Sequence, residues 1–104
     1  MAFRKLLFNR VASDAGFRVK VRTFKSYVEY REEKRIARVP VDRVLGEVTV
    51  NVYSNTPVEW KPPYNDDVIS EEKRREILKN IVDAMCFLNY SAKFVEMKPA
   101  LGQG

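Results

Sequence analysis

Asp66 and Asp67 are the residues whose type and spacing come nearest to a chemical site in this chain. Two adjacent carboxylates just ahead of a helix could bind a hard cation such as Mg²⁺ or Ca²⁺ through their oxygens. The pair comes without the further spaced acids or the glycine turn that complete such a site. We therefore predict a solvated acidic loop here and no metal site.

Catalytic chemistry is limited by the absence of histidine from all 104 residues. This excludes Ser-His and Cys-His nucleophilic catalysis and histidine-ligated metal sites. The one cysteine, Cys86, falls in a helical segment and cannot form an intrachain disulfide, which suits a reducing cytoplasm; we predict that it packs rather than reacts. The four glycines form no phosphate-binding loop. We predict a cytoplasmic protein that is not an enzyme and has no cofactor.

The basic residues are concentrated in the N-terminal quarter of the chain. Residues 1–24 carry six basic side chains and one acid, whereas residues 25–104 carry thirteen of each, so the whole net charge of +5 lies in the first segment. Arg18, Lys20 and Arg22 alternate with apolar residues there. They are typical of the solvated face of a strand, but the same cations could neutralise phosphates while nearby aromatic rings stack on bases. Both interpretations stay open.

An amphipathic helix is predicted from about Ser70 to about Tyr90. Ser70 is a suitable N-cap, and Glu71 and Glu72 follow in the first turn, at the positive end of the helix dipole. The apolar residues recur at intervals of one, three and four, which places them on one stripe: Ile77, Leu78, Ile81, Val82, Met85 and Leu88.

The residues ahead of this helix have strand patterns. Apolar and polar residues alternate around 17–22, 27–31, 37–41 and up to Tyr53, with a charged turn at 32–35. Pro40 predicts that its run is an edge strand or a strand that ends early. The apolar-rich segment from Ala92 to Met97 predicts a last strand. We expect an α+β fold with an antiparallel sheet of four to five short strands, covered on one face by the C-terminal helix. Residues 1–97 form the single domain and residues 98–104 a flexible tail.

The N-terminal segment from Met1 to Arg10 is predicted to be a strand or short helix packed on the core through its apolar residues, Phe3, Leu6, Leu7 and Phe8. Its apolar run is too short for a signal peptide, and no stretch approaches membrane-spanning length. No membrane partner is expected.

Residues 25–97 resemble a known family. The motifs are, in order, Tyr27-Val28-Glu29-Tyr30-Arg31-Glu32, Arg38-Val39-Pro40-Val41, a strand ending at Tyr53, Trp60-Lys61-Pro62-Pro63-Tyr64, Ile69-Ser70, and Arg75-Glu76-Ile77-Leu78-Lys79-Asn80-Ile81. Together they resemble the immunity protein seventy-four family of bacterial polymorphic-toxin systems. The most specific parts are the Trp60–Tyr64 loop and the centre of the helix.

The resemblance implies a non-enzymatic protein that binds and neutralises one toxin domain, often a nuclease, as in contact-dependent growth inhibition and other toxin-antitoxin pairs. The prolines hold Trp60 and Tyr64 in a rigid loop, and these aromatics would anchor the toxin within a charged rim of Glu32, Glu33, Asp66 and Asp67. The alternative is a small nucleic-acid-binding module that uses Arg18, Lys20 and Arg22.

Overall fold

The computed structural model describes residues 2–22, 27–43 and 49–96. Within these ranges the chain forms seven strands and one helix: β1 Phe3–Leu6, β2 Arg10–Ser13, β3 Phe17–Arg22, β4 Tyr27–Glu32, β5 Arg35–Arg43, β6 Thr49–Tyr53, α1 Glu71–Phe87 and β7 Ser91–Val95. The α+β class is confirmed. The predicted tail at 98–104, and Met97 before it, lie outside the described residues.

The seven strands form one sheet in chain order. Strands β1 to β6 pair antiparallel, and β7 pairs parallel to β6 because helix α1 crosses back between them. The predicted four to five strands were too few, and β7 was expected to be antiparallel. The N-terminal segment accounts for part of the difference, since it is a hairpin of two four-residue strands joined by a turn at residues 7–9.

One face of the sheet carries the core. Residues of β3, β4, β5 and β6 alternate between buried and more exposed, and the buried set packs against the helix: Phe17, Val19, Val21, Val28, Tyr30, Ala37, Val39, Val41, Val50 and Val52. The other face of the sheet is opposite the helix, and we call it the open face.

Helix α1 begins after Ser70, whose hydroxyl accepts a hydrogen bond from the Lys73 backbone N–H at 3.1 Å. It ends at Phe87, before the predicted Tyr90, because Asn89 adopts a left-handed φ of 71° that a helix cannot contain. Its buried residues are Ile77, Leu78, Ile81, Ala84 and Met85, while Val82 and Leu88 are partly buried. Among the described residues no helix has the length and apolar character to span a membrane.

Three local predictions were wrong. Leu7 and Phe8 are 73% and 79% exposed, because they occupy the β1–β2 turn and only Phe3 of that segment packs on core rings. Cys86 is exposed, because it lies on the helix beside the buried stripe rather than in it. Pro40 marks neither an edge strand nor an early strand end, because it lies within β5, which pairs with both β4 and β6. The pairing with β6 starts only at Val41, so the sheet tolerates a proline without a backbone N–H at position 40.

Candidate functional site

The β4–β5 turn, the 60–70 segment and the first turn of α1 converge at one end of the sheet. They surround a groove of about 480 Å³. We call this region the hairpin–loop surface. It comprises seven residues that line the groove, namely Glu32, Glu33, Arg35, Trp60, Val68, Ile69 and Lys73, together with Tyr64, Asp66 and Asp67 of the adjoining loop. Of the six residues predicted for partner binding, Glu32, Glu33 and Trp60 line the groove. Tyr64 and Asp67 contact Arg35, which also lines it, and Asp66 is the chain neighbour of Asp67.

Trp60 attaches this region to the sheet. Its side chain is only 7% exposed and its ring stacks on Tyr30 with centroids 6.4 Å apart. The residue pairs with Ala37 of β5, and the Lys61 N–H donates to the Ile36 carbonyl at 2.8 Å. Trp60 therefore reaches the surface only where it lines the groove. Direct contact of its ring with a partner stays a prediction.

Arg35 links the acidic loop to the hairpin. Its guanidinium donates to Asp67 Oδ2 from Nη2 at 2.8 Å and from Nε at 3.1 Å, and it lies 4.8 Å from the centroid of the Tyr64 ring. The hydrogen bond that Arg35 donates to Asp67 raises the pKa of Arg35 above its ordinary value. Tyr64 and Asp67 are consequently held in one cluster, and Asp66 and Asp67 do not present two free carboxylates to a cation.

Lys73 of α1 closes the opposite side of the groove. Its Nζ donates to Glu32 at 2.9 Å and to Glu76 at 2.6 Å. Burial lowers the pKa of Lys73, but the hydrogen bonds with Glu76 and Glu32 outweigh this and raise it above its ordinary value. Glu32 Oε2 is buried without a hydrogen-bond partner among the described residues. This pair joins hairpin to helix across 41 positions of sequence.

The acidic residues of the predicted rim and of the first turn of α1 divide into two groups. Glu32, Asp67 and Glu71 are ion-paired with Lys73, Arg35 and Arg74 respectively. For Glu33, Asp66 and Glu72, the described parts of the chain place no basic group at ion-pair distance. The surface is therefore mixed in charge.

Sequence reasoning missed Val68 and Ile69. Val68 is 93% exposed, and both residues line the groove next to the hairpin. In the sequence, an apolar pair just before a helix cap indicates a hydrophobic staple and not a binding site. Ile69 does pack against the core. The exposure of Val68 follows only from how the segment lies on the sheet.

Arg18, Lys20 and Arg22 lie elsewhere, on the open face of β3. The register places four more cations on that face of β1, β2, β4 and β5: Arg4, Arg10, Arg31 and Arg38. The three residues of the nucleic-acid alternative are therefore part of a larger basic surface.

Comparison with known proteins relates the chain to a family. A family model described as Immunity protein 74 matches residues 11–95, which run from β2 to the end of β7 and include α1. No curated protein and no solved structure matches the chain. Strand β1 and the β1–β2 turn precede the matched span.

Proposed function

The chain belongs to the immunity protein 74 family, and we propose on that basis that it binds and neutralises one cognate bacterial toxin domain without catalysing a reaction itself. The single observation that carries the proposal is the family match over residues 11–95. We place the protein in the cytoplasm of the bacterium that it protects, as in contact-dependent growth inhibition. A nuclease is one class of toxin that fits this proposal.

We propose that the hairpin–loop surface contacts the toxin. Protein interfaces combine an apolar centre with a polar rim, and a few aromatic or apolar anchors supply most of the binding free energy. Val68, Ile69 and the half-buried Tyr64 supply apolar area next to the groove. Glu33 lines the groove and Asp66 is exposed on the adjoining loop, and within the described residues neither carboxylate is ion-paired. Trp60 and Arg35 hold this loop against the sheet and the hairpin.

Growth protection tests the function. The toxin domain encoded by the adjacent reading frame would be expressed in a bacterial host with and without this chain. We expect growth to be restored by the wild-type chain, and the purified proteins to form a complex. Failure of the wild-type chain both to restore growth and to bind would refute the proposed function.

Val68→Asp and Cys86→Asp test the surface as a matched pair. Each adds one carboxylate at an exposed position, Val68 on the hairpin–loop surface and Cys86 on the outer side of α1. We expect Val68→Asp to weaken toxin binding by about tenfold or more, the effect of losing a good anchor, and Cys86→Asp to leave it unchanged. Equal binding by the two variants would exclude this surface as the contact.

A second candidate function is nucleic-acid binding. The observation in its favour is that Arg18, Lys20 and Arg22 share the open face with four other cations. Binding through phosphates would weaken steeply with salt, and an oligonucleotide titration tests it directly.

A further inference from the structure

The open face has an uneven charge balance. Strands β1 to β5 place seven cations there, namely Arg4, Arg10, Arg18, Lys20, Arg22, Arg31 and Arg38, against the two acids Glu29 and Asp42. Among the described residues of this face, one ion pair forms on strands β1 to β5: Arg22 lies 3.7 Å from Glu29. Helix α1 covers the other side of the sheet, so among the described residues the cations of this face outnumber the acids by seven to two.

The register places like charges directly opposite each other on neighbouring strands. Arg18 faces Arg31 across β3 and β4, and Arg10 faces Lys20 across β2 and β3. Like charges in such cross-strand positions destabilise a sheet. Lys20 also lies opposite Glu29 across β3 and β4, which offsets its repulsion from Arg10, so Arg18 and Arg31 are the pair that acts most clearly against stability. Proteins commonly accept such a cost where a surface is used for binding.

The β1–β2 turn adds an apolar feature at the edge of the open face. Leu7 and Phe8 are 73% and 79% exposed, and Phe8 has a φ of 61°, which is unusual for a bulky side chain. Such strained positions cluster at ligand-binding sites. Arg10, a residue of the open face, donates from Nε to the Leu7 carbonyl at 3.0 Å. The apolar turn is thus joined directly to the basic surface.

Asn9 holds this turn in place. Its carbonyl accepts a hydrogen bond from the Val21 N–H at 3.1 Å, and its side-chain amide donates to the Tyr90 hydroxyl at 3.3 Å. Asn tolerates the left-handed φ of 58° found there. The turn is consequently fixed to β3 and to the segment after α1 while Leu7 and Phe8 stay in solvent.

We propose that the seven cations of the open face and the exposed Leu7–Phe8 turn beside them form a docking surface for an acidic face of the toxin domain. This inference rests on the proposed function and specifies the chemistry of the partner. Arginine forks bind carboxylates with two parallel hydrogen bonds, and six of the seven cations are arginines. Leu7 and Phe8 act as the apolar anchors at the edge.

The features of this surface favour an acidic protein over a nucleic acid. Tyr27 lies on this face at the start of β4, and its ring is already in contact with the guanidiniums of Arg22 at 5.9 Å and Arg38 at 4.8 Å. It is therefore not free to stack on an unpaired base. Exposed aliphatic and aromatic anchors next to arginines are instead the composition of protein interfaces.

The docking surface continues into the hairpin–loop surface. Glu33 lines the groove between the hairpin and α1 and also a second groove lined by Arg4, Arg18 and Arg31. One toxin domain can therefore contact both surfaces around the end of the sheet where they meet.

Two double variants of equal charge change test the basic part. Arg18→Gln/Arg31→Gln removes one of the like-charged pairs, and Arg75→Gln/Lys79→Gln removes two cations of similar exposure from α1. The probe is the purified toxin domain that the wild-type chain neutralises in the growth assay. We expect the first variant to associate about tenfold more slowly at low salt, with a weaker salt dependence, because open-face charges steer the encounter.

Thermal melting distinguishes this effect from misfolding. Arg18→Gln/Arg31→Gln should melt at or above the wild-type temperature, because the substitution removes an unfavourable cross-strand pair. The α1 variant should bind within about twofold of wild type. Equal association rates for both double variants would overturn the proposal, whereas a wild-type chain that neutralises no toxin would overturn the proposed function instead.

Leu7→Ser/Phe8→Asn tests the apolar part. Asn is favoured over Phe at the left-handed φ of position 8, so the double variant should be as stable as the wild type. We expect complex dissociation to be about tenfold faster, since loss of an anchor acts mainly on the dissociation rate. An unchanged dissociation rate would overturn the assignment of these anchors.

A 20-nucleotide single-stranded DNA is the competing probe. We expect no binding tighter than about 10 µM at an ionic strength of about 0.15 M. Micromolar or tighter binding that is lost in Arg18→Gln/Arg31→Gln, with toxin binding unaffected, would assign the open face to nucleic acid and overturn the proposal.

Discussion

Replacing Trp60 with alanine tests whether the hairpin–loop surface depends on one buried ring. The side chain is 7% exposed, stacks on Tyr30 at a centroid distance of 6.4 Å and lies where the 60–70 segment pairs with Ala37. Truncation leaves a cavity between the loop and the sheet. It also removes the contact that holds this segment against β5.

The expected loss is large. A buried aromatic residue replaced by alanine typically costs about 3–5 kcal/mol, of which the ring–ring stack itself accounts for about 0.5–1.5 kcal/mol. Domains of this size unfold with about 5–15 kcal/mol, so the variant loses a substantial fraction of its stability. At about 4–8 °C per kcal/mol, the melting temperature should fall by about 15 °C or more.

Circular dichroism is the appropriate measurement, because Trp60 is the only tryptophan and the variant has no indole fluorescence. Trp60→Phe is the matched control; it retains a ring over Tyr30 and should lose clearly less, about 1–2 kcal/mol. In the wild-type protein the emission maximum should be blue-shifted relative to free tryptophan. A Trp60→Ala variant that melts within about 5 °C of wild type, or wild-type emission like that of free tryptophan in water, would refute the reasoning.

Two further predictions concern the core. Ile81→Asp puts an unpaired carboxylate at a fully buried position of α1 and should cost several kcal/mol, of the order of 3–5; a melting temperature within a degree or two of wild type would show that the helix face is assigned wrongly. Burial raises the pKa of Tyr30 from 10.0 to about 12, although the hydrogen bond from Asn80 lowers it. The folded state therefore retains the phenol proton longer than the unfolded state does. This contribution to the free energy of unfolding should be complete below about pH 10 and fall by about 1.4 kcal/mol per pH unit up to about pH 12. Denaturant unfolding across this range should show a smaller fall for Tyr30→Phe than for the wild type. An equal fall in both would contradict the raised pKa of Tyr30.

Much of the fold followed from local pattern. The alternation of Phe17, Val19 and Val21 with three cations predicted which side of β3 is buried, and the spacing of Ile77 and Ile81 predicted the buried stripe of α1. Both predictions succeed because the period of a strand or a helix determines the direction of each side chain. A turn was also predicted from the charged run at 32–35, and the structure has it at Glu33 and Lys34, where Glu33 has a φ of 54°.

The number of strands was harder to predict. Strands β1 and β2 are four residues each, too short for a periodic pattern to separate two strands from one segment. The exposed turn between them contains Leu7 and Phe8, which composition alone assigns to a core. The parallel pairing of β7 depends on where α1 returns the chain, and no local signal encodes that direction.

The sequence by itself determined the class of fold, the side of each long strand that is buried, the lack of histidine chemistry and the resemblance to an immunity-protein family. The tertiary structure alone decided which charged residues meet. Arg35 and Asp67 are 32 positions apart and Lys73 and Glu32 are 41 apart. Periodicity assigns a residue to a face, but its neighbours on that face depend on the register of every strand pair and on how the helix and loops pack on the sheet. For this reason the acidic residues proved to be partly neutralised, and the cations of the open face proved to lie side by side.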